Sequence, residues 1–223
     1  YFGPEVSVEN SHPRSYLSRS GGGFDVIQVS LSDEFDAVTT GAFSLNENYL
    51  YTVEAIASYL ENLNENGLLV LSRWLQIPPS ESLKLWATVL AAMERVGIDS
   101  PENHLAALRT WRMITVLVKK SAFTGSEIAA FKEFAASRAF DLVYYPGISE
   151  GETNRYNVLQ EPVYYRFFME LLQGDRAAFF KRYPYDVRPP TDDRPFFFTS
   201  SSGRRSHLCS RTSGSNGSPS GVE

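Results

Sequence analysis

FDVIQVSL, residues 24–31, follows the turn SGGG at residues 20–23 and is almost unbroken in its apolar character. A run this short, bounded by turn residues, reads as a strand. Strands without clean polar alternation belong to sheets buried on both faces. The next signal downstream is helical. From about Tyr49 to Asn64 the apolar positions Leu50, Val53, Ile56, Ala57 and Leu60 recur at helical spacing, and Gly67 reads as the stop. LLVLSRW (residues 68–74) is a second buried strand. PPSESLKLWATVLAAMERVG (residues 78–97) is a helix punctuated by prolines at its start and glycine at its end.

HLAALR and MITVLVKK, split by TW, then predict an antiparallel pair near a sheet edge. TGSEIAAFKEFAASRA carries a capping signal at Thr124 or Ser126 ahead of an acidic residue. FDLVYYP reads as a further strand, PVYYRFFMELLQG and DRAAFFKRYP as helices, and PPTDDRPFFF as extended chain. This alternation gives an α/β fold, a mostly parallel sheet with helices on both faces. Residues 1–198 form the domain. Residues 199–223, rich in Ser, Gly and Arg, have too little to bury and read as a disordered tail.

Composition narrows the function. The chain has 223 residues, a net charge of −5 and 43% hydrophobic residues, enough for a core. No basic cluster outside the tail is interleaved with aromatics, which argues against a nucleic-acid partner. The single cysteine, Cys209, excludes a disulfide framework, and three scattered histidines exclude a zinc-ligand spacing; no metal is expected. The compartment reads as reducing. No apolar run approaches the roughly 20 residues that span a bilayer.

In open parallel sheets ligands gather beyond the carboxyl ends of the strands. Those ends are Ser30-Leu31-Ser32-Asp33 and Ser72-Arg73-Trp74. The polar tetrad Asn46-Glu47-Asn48-Tyr49, at the expected start of the next helix, can lie on the same rim. It can equally be a cap, with Asn46 accepting from free N–H groups and Glu47 at the positive end of the dipole. Asp33, Glu47, Tyr49 and Arg73 are thus candidate site residues. Asp192, Asp193 and Arg194 read instead as a tie for the carboxyl end through a buried ion pair.

PRSYL, FDVIQVSLSDEF, GAFSLNENYLYTVEAIASYL, NGLLVLSRW, FDLVYYPG and TDDRPFFF occur in an order that resembles the spermidine synthase-like, S-adenosylmethionine-binding class. The chain is more closely similar to such domains within bacterial multi-pass membrane proteins. The resemblance implies a Rossmann-like sheet with S-adenosylmethionine or its decarboxylated form as cofactor, and methyl or aminopropyl transfer to a small amine. It implies a cytoplasmic domain attached to a membrane portion. It also implies an amino-terminal truncation, because no glycine-rich phosphate or ribose turn follows a strand here, and the fragment is expected to be inactive.

Within the resemblance, HPR sets His12 at the position of an adenine-binding Asp and retains Arg14. Ser30 stands where aminopropyltransferases carry the Asp that accepts a proton from the attacking amine. A serine without a basic neighbour cannot do that work at neutral pH. Asp33 is the carboxylate that remains, and with Glu47 it can hold a cationic amine; Tyr49 and Arg73 complete the substrate-binding set. The alternative is a non-catalytic sensory or scaffolding domain of a polytopic membrane protein.

Overall fold

A computed structural model describes residues 5–31 and 47–198. Asp33, Asn46, Cys209 and the whole tail lie outside the described residues.

The chain enters through helix α1 (Pro13–Ser20), opened by Pro13 and closed by Gly21 at φ 76°, a left-handed conformation that suits glycine. Strand β1 (Phe24–Val29) follows as expected. Helix α2 spans Val53–Asn62, four residues later than its apolar period suggested. The true cap is Thr52, whose hydroxyl accepts from the Ala55 amide at 3.1 Å, so the tetrad lies before the helix and not in its first turn.

Strand β2 runs over Leu63–Trp74 and takes in Gly67, which is therefore no helix stop. Pairing with β1 slips there, from Phe24 opposite Leu63 to Val26 opposite Leu68. A Cβ on Gly67 would lie 2.8 Å from Leu63 Cβ and 2.9 Å from the carbonyls of Asn64 and Phe24. The glycine is there because the backbones press together at an irregularity in the pairing.

Helix α3 (Glu81–Arg95) is buried almost all round, with Trp86 stacked on Phe168 at 4.3 Å between ring centres. Strands β3 (Leu105–Arg109) and β4 (Met113–Lys119) form the expected antiparallel pair, turned by Thr110, whose amide donates to the Met113 carbonyl at 2.8 Å. Helix α4 (Gly125–Ser137) is opened by a reciprocal capping box between Thr124 and Glu127. Strand β5 (Asp141–Tyr144) and helices α5 (Val163–Gln173) and α6 (Arg176–Arg182) complete the order. The segment expected to be extended near the carboxyl end instead makes a tight turn, bridging Thr191 to Arg194.

The five strands make one open mixed sheet in the order β1-β2-β4-β3-β5. Only β1 and β2 pair in parallel; β2–β4, β4–β3 and β3–β5 are antiparallel. The mostly parallel sheet expected from the alternation is not what forms. The short hairpin turn reverses the chain, and β4 then takes the free side of β2, which places the hairpin inside the sheet and not at its edge.

Burial separates the two faces. Leu69, Leu71 and Arg73 of β2, Ile114, Val116 and Val118 of β4, and Leu105, Ala107 and Arg109 of β3 share one face by register, and all are buried. On the opposite face Leu68, Val70, Thr115 and Leu117 are only half-buried. Among the described residues, then, one face is closed by helices and the other only in part.

Candidate functional site at the β1–β2 rim

The carboxyl ends of the parallel pair are joined by one side chain. The Tyr51 hydroxyl donates to the Ser30 carbonyl at 3.1 Å and accepts from Arg73 Nη1 at 3.4 Å. Ser30 is exposed, and its own hydroxyl accepts from Gln28 Nε2 at 3.0 Å. Tyr51 is fully buried just ahead of the α2 cap, so the loop into α2 is what spans the two strand ends.

Arg73 is 1% exposed. It sits on the buried face because β2 alternates, and its guanidinium turns to the first turn of α3. There Nη2 and Nε donate to Glu81 at 2.6 and 3.2 Å. The guanidinium carbon also lies 4.8 Å from the Phe198 ring centre, 5.2 Å from Tyr51 and 5.5 Å from Phe197. A planar cation beside a carboxylate and three rings has its burial offset by both kinds of partner.

Glu81 is oriented in turn. Gln76 Nε2 donates to its second oxygen at 3.0 Å, while the Gln76 amide donates to the Tyr164 hydroxyl at 3.1 Å, linking the rim to α5. Trp74, at the strand end, is 40% exposed.

A second cluster lies between α1 and α2. Arg14 makes a two-pronged pair with Asp192 at 2.9 and 2.8 Å and also donates to the Tyr49 carbonyl at 3.4 Å. The Thr52 hydroxyl donates to Asp192 at 2.6 Å, and the Asp192 amide donates to Glu54 at 3.0 Å. The Arg14 guanidinium, with Thr52, holds the Asp192 carboxyl below its ordinary range, and Asp192 raises Arg14. Asp192 does tie the carboxyl end down, through Arg14 and at a half-buried surface.

Glu47 and Tyr49 are exposed and bonded to each other, hydroxyl to carboxylate at 3.1 Å, which raises the Tyr49 phenol. Asn48 fastens the stretch: its amide donates to the Pro195 carbonyl at 2.7 Å, and its side chain accepts from the Leu50 amide at 2.9 Å. His12 is exposed at the start of α1, where its carbonyl accepts from the Tyr16 amide at 3.0 Å and its ring makes no cap.

Of the residues singled out in the sequence, Ser30 and Arg73 are brought together through Tyr51. Arg14, Glu47 and Tyr49 gather at the neighbouring cluster, and His12 stands apart. Asp33 is outside the described residues. Tyr51, Glu81, Gln76, Phe197 and Phe198 escaped the sequence reading. A signal existed for Glu81 alone, as the first carboxylate behind Pro-Pro-Ser at a helix start.

Among the described residues no three metal-binding side chains cluster, and no helix is long and apolar enough to cross a membrane. No family model matches this chain, and no curated protein matches it. The rim therefore has to be read from its own chemistry.

Proposed function

We propose that the β1–β2 rim belongs to an S-adenosylmethionine-type transferase domain, part of a spermidine synthase-like fold. It would bind S-adenosylmethionine or the decarboxylated form and serve methyl or aminopropyl transfer to a small amine. The observation that carries this reading is the Ser30–Tyr51–Arg73 bridge, which gathers the ends of the one parallel strand pair at a single rim. Parallel strand ends are where α/β sheets collect ligands. The groups around the rim also suit a cation: Glu47 and Tyr49 face solvent beside it, and aromatic rings and carboxylates both attract a sulfonium or ammonium.

The residues divide the work. Tyr51 sets the spacing of the two strand ends. Arg73, held by Glu81, fixes the aromatic wall of Phe197 and Phe198. Glu47 supplies an accessible negative charge for the amine, and Tyr49 limits its orientation by holding one carboxylate oxygen.

One observation favours the second reading, a non-catalytic scaffolding domain of a membrane-attached protein. Arg14 and Arg73, the two candidate cations, both spend their charge on internal carboxylates. Glu47→Gln separates the readings. With a short aliphatic diamine as titrant, the transferase reading expects affinity to fall about tenfold, the worth of one charge-assisted hydrogen bond. The melting temperature should stay the same, since Glu47 is exposed. Unchanged affinity, or no binding by either protein, favours the scaffold.

A further inference from the structure

At the edge of the sheet farthest from the rim, β5 ends the strand order, and the chain that follows it folds back alongside, with Leu142 bridged to Thr153. Between that returning segment and α4 lies a cleft of about 270 Å³. Ala135, Phe140 and Leu142 give it an apolar lining. Charged side chains line it from both sides: Lys132 and Glu133 from α4, Glu152 and Arg155 from the segment opposite. The cleft shares no residue with the rim.

Both sides are held in place. The buried Asp141 carboxylate accepts the amides of Arg155, Tyr156 and Asn157 at 2.5, 2.8 and 2.8 Å. Its ion partner Arg109 also donates to the Asn157 carbonyl at 2.6 Å. Lys132 reaches across from α4 to Glu152 at 2.9 Å, and the Tyr145 hydroxyl donates to the same oxygen at 2.6 Å. These contacts use up Asp141, Lys132 and Glu152. Two opposite charges remain. Arg155 is exposed; its Nε and Nη2 donate to the Gly151 carbonyl at 3.3 and 3.2 Å, and among the described residues no carboxylate pairs with it. The carbonyl thus aligns the guanidinium without neutralising it. Glu133 is exposed too, and among the described residues its carboxylate has no partner.

We propose that this cleft binds a small zwitterion with an apolar body, the chemistry of a free apolar α-amino acid. Its carboxylate pairs with Arg155, its ammonium with Glu133, and its side chain packs on Phe140 and Leu142. The charges decide the class. A plain anion would meet Glu133, and a plain cation would meet Arg155; a molecule carrying both signs satisfies each. Size agrees, because the cleft lies just under the roughly 300–1,000 Å³ of pockets for larger ligands. Walls fixed before the ligand arrives have little freedom to lose on binding. The proposal is independent of the transferase reading, since it uses neither Arg73 nor Glu47.

Titrating L-leucine into the whole chain to about 10 mM, a range that captures millimolar binding, and following the amides by nuclear magnetic resonance tests it. Saturable shifts are expected at Ala136, Leu142, Arg155 and Tyr156. Isoamylamine, which is leucine without its carboxylate, and isocaproate, which is leucine without its ammonium, should each bind about tenfold more weakly or worse. Arg155→Gln and Glu133→Gln should each weaken leucine by the same factor and leave the circular dichroism unchanged, since neither side chain sits in an ion pair. Arg155→Lys, which keeps the charge, should recover part of the affinity. Any of three results would overturn the proposal: no saturable shift at these amides, equal affinity for leucine and its two analogues, or leucine binding indifferent to both substitutions.

Discussion

Arg14 grips Asp192 with two parallel hydrogen bonds, 2.9 and 2.8 Å, across 178 positions of sequence. The pair pins the last described segment of the chain to its first helix. Thr52 adds the start of α2, because its hydroxyl both caps the helix and donates to Asp192. A single carboxylate therefore holds three elements next to the rim.

Asp192→Asn should lower stability by about 1 kcal/mol, less than a buried charged hydrogen bond because both partners are partly in water. The sign of its pH dependence follows from the depressed carboxyl. The pair contributes fully above the unfolded aspartate range, near pH 4, and its contribution is lost as pH falls through the lower folded value. Thermal melts between neutral and acid pH should show a shallower loss in the Asn variant than in the wild type.

Glu81 balances a guanidinium that has no access to water. Removing one member of a buried pair takes a carboxylate from the other charge, so Glu81→Ala should cost about 3–5 kcal/mol. Replacing both, as Arg73→Met with Glu81→Ala, should recover most of that loss, because methionine suits the rings of Tyr51, Phe197 and Phe198. Urea unfolding of the wild type and the two variants checks the order.

Lys84, 3% exposed on α3 with its amine donating to the Phe196 carbonyl at 3.3 Å, is pulled down to about 8 by burial. In the window between that value and the ordinary lysine range the unfolded chain binds the extra proton, so stability rises with pH. The melting temperature should climb from about pH 7.5 to about pH 10. Above that the buried phenols of Tyr59, Tyr144 and Tyr183, raised by burial, reverse the trend, because the unfolded chain then loses its protons first. Lys84→Met should abolish the climb and leave the alkaline fall.

The legible parts of this fold are those set by neighbours in sequence. The Thr124–Glu127 box, the turn at Thr110 and the apolar runs of β1, α3 and α5 all lie within a few residues of their signals. Gly67 misled because a glycine after a helical period stops a helix in most chains, whereas here a backbone from β1 occupies the space of its side chain. The start of α2 was displaced because the crowded tetrad outweighed the plain Thr52 signal. Strand order was out of reach, since pairing β4 with β2 is a long-range choice that no local pattern encodes. The site follows the same rule. Ser30 and Arg73 were visible as strand ends, while Tyr51, which joins them, reads in sequence as one more aromatic of a helix.

Amide-resolved nuclear magnetic resonance, with S-adenosylmethionine and then its decarboxylated form titrated into the 223-residue chain, measures directly whether the rim is a ligand site. The expected result is fast-exchange shifts at the amides of Ser30, Tyr51, Arg73 and Glu81, with a dissociation constant weaker than about 100 µM and so short of the ~8 kcal/mol of micromolar binding. Shifts confined to other parts of the chain, or none at millimolar ligand, would contradict a transferase rim at the end of β1 and β2.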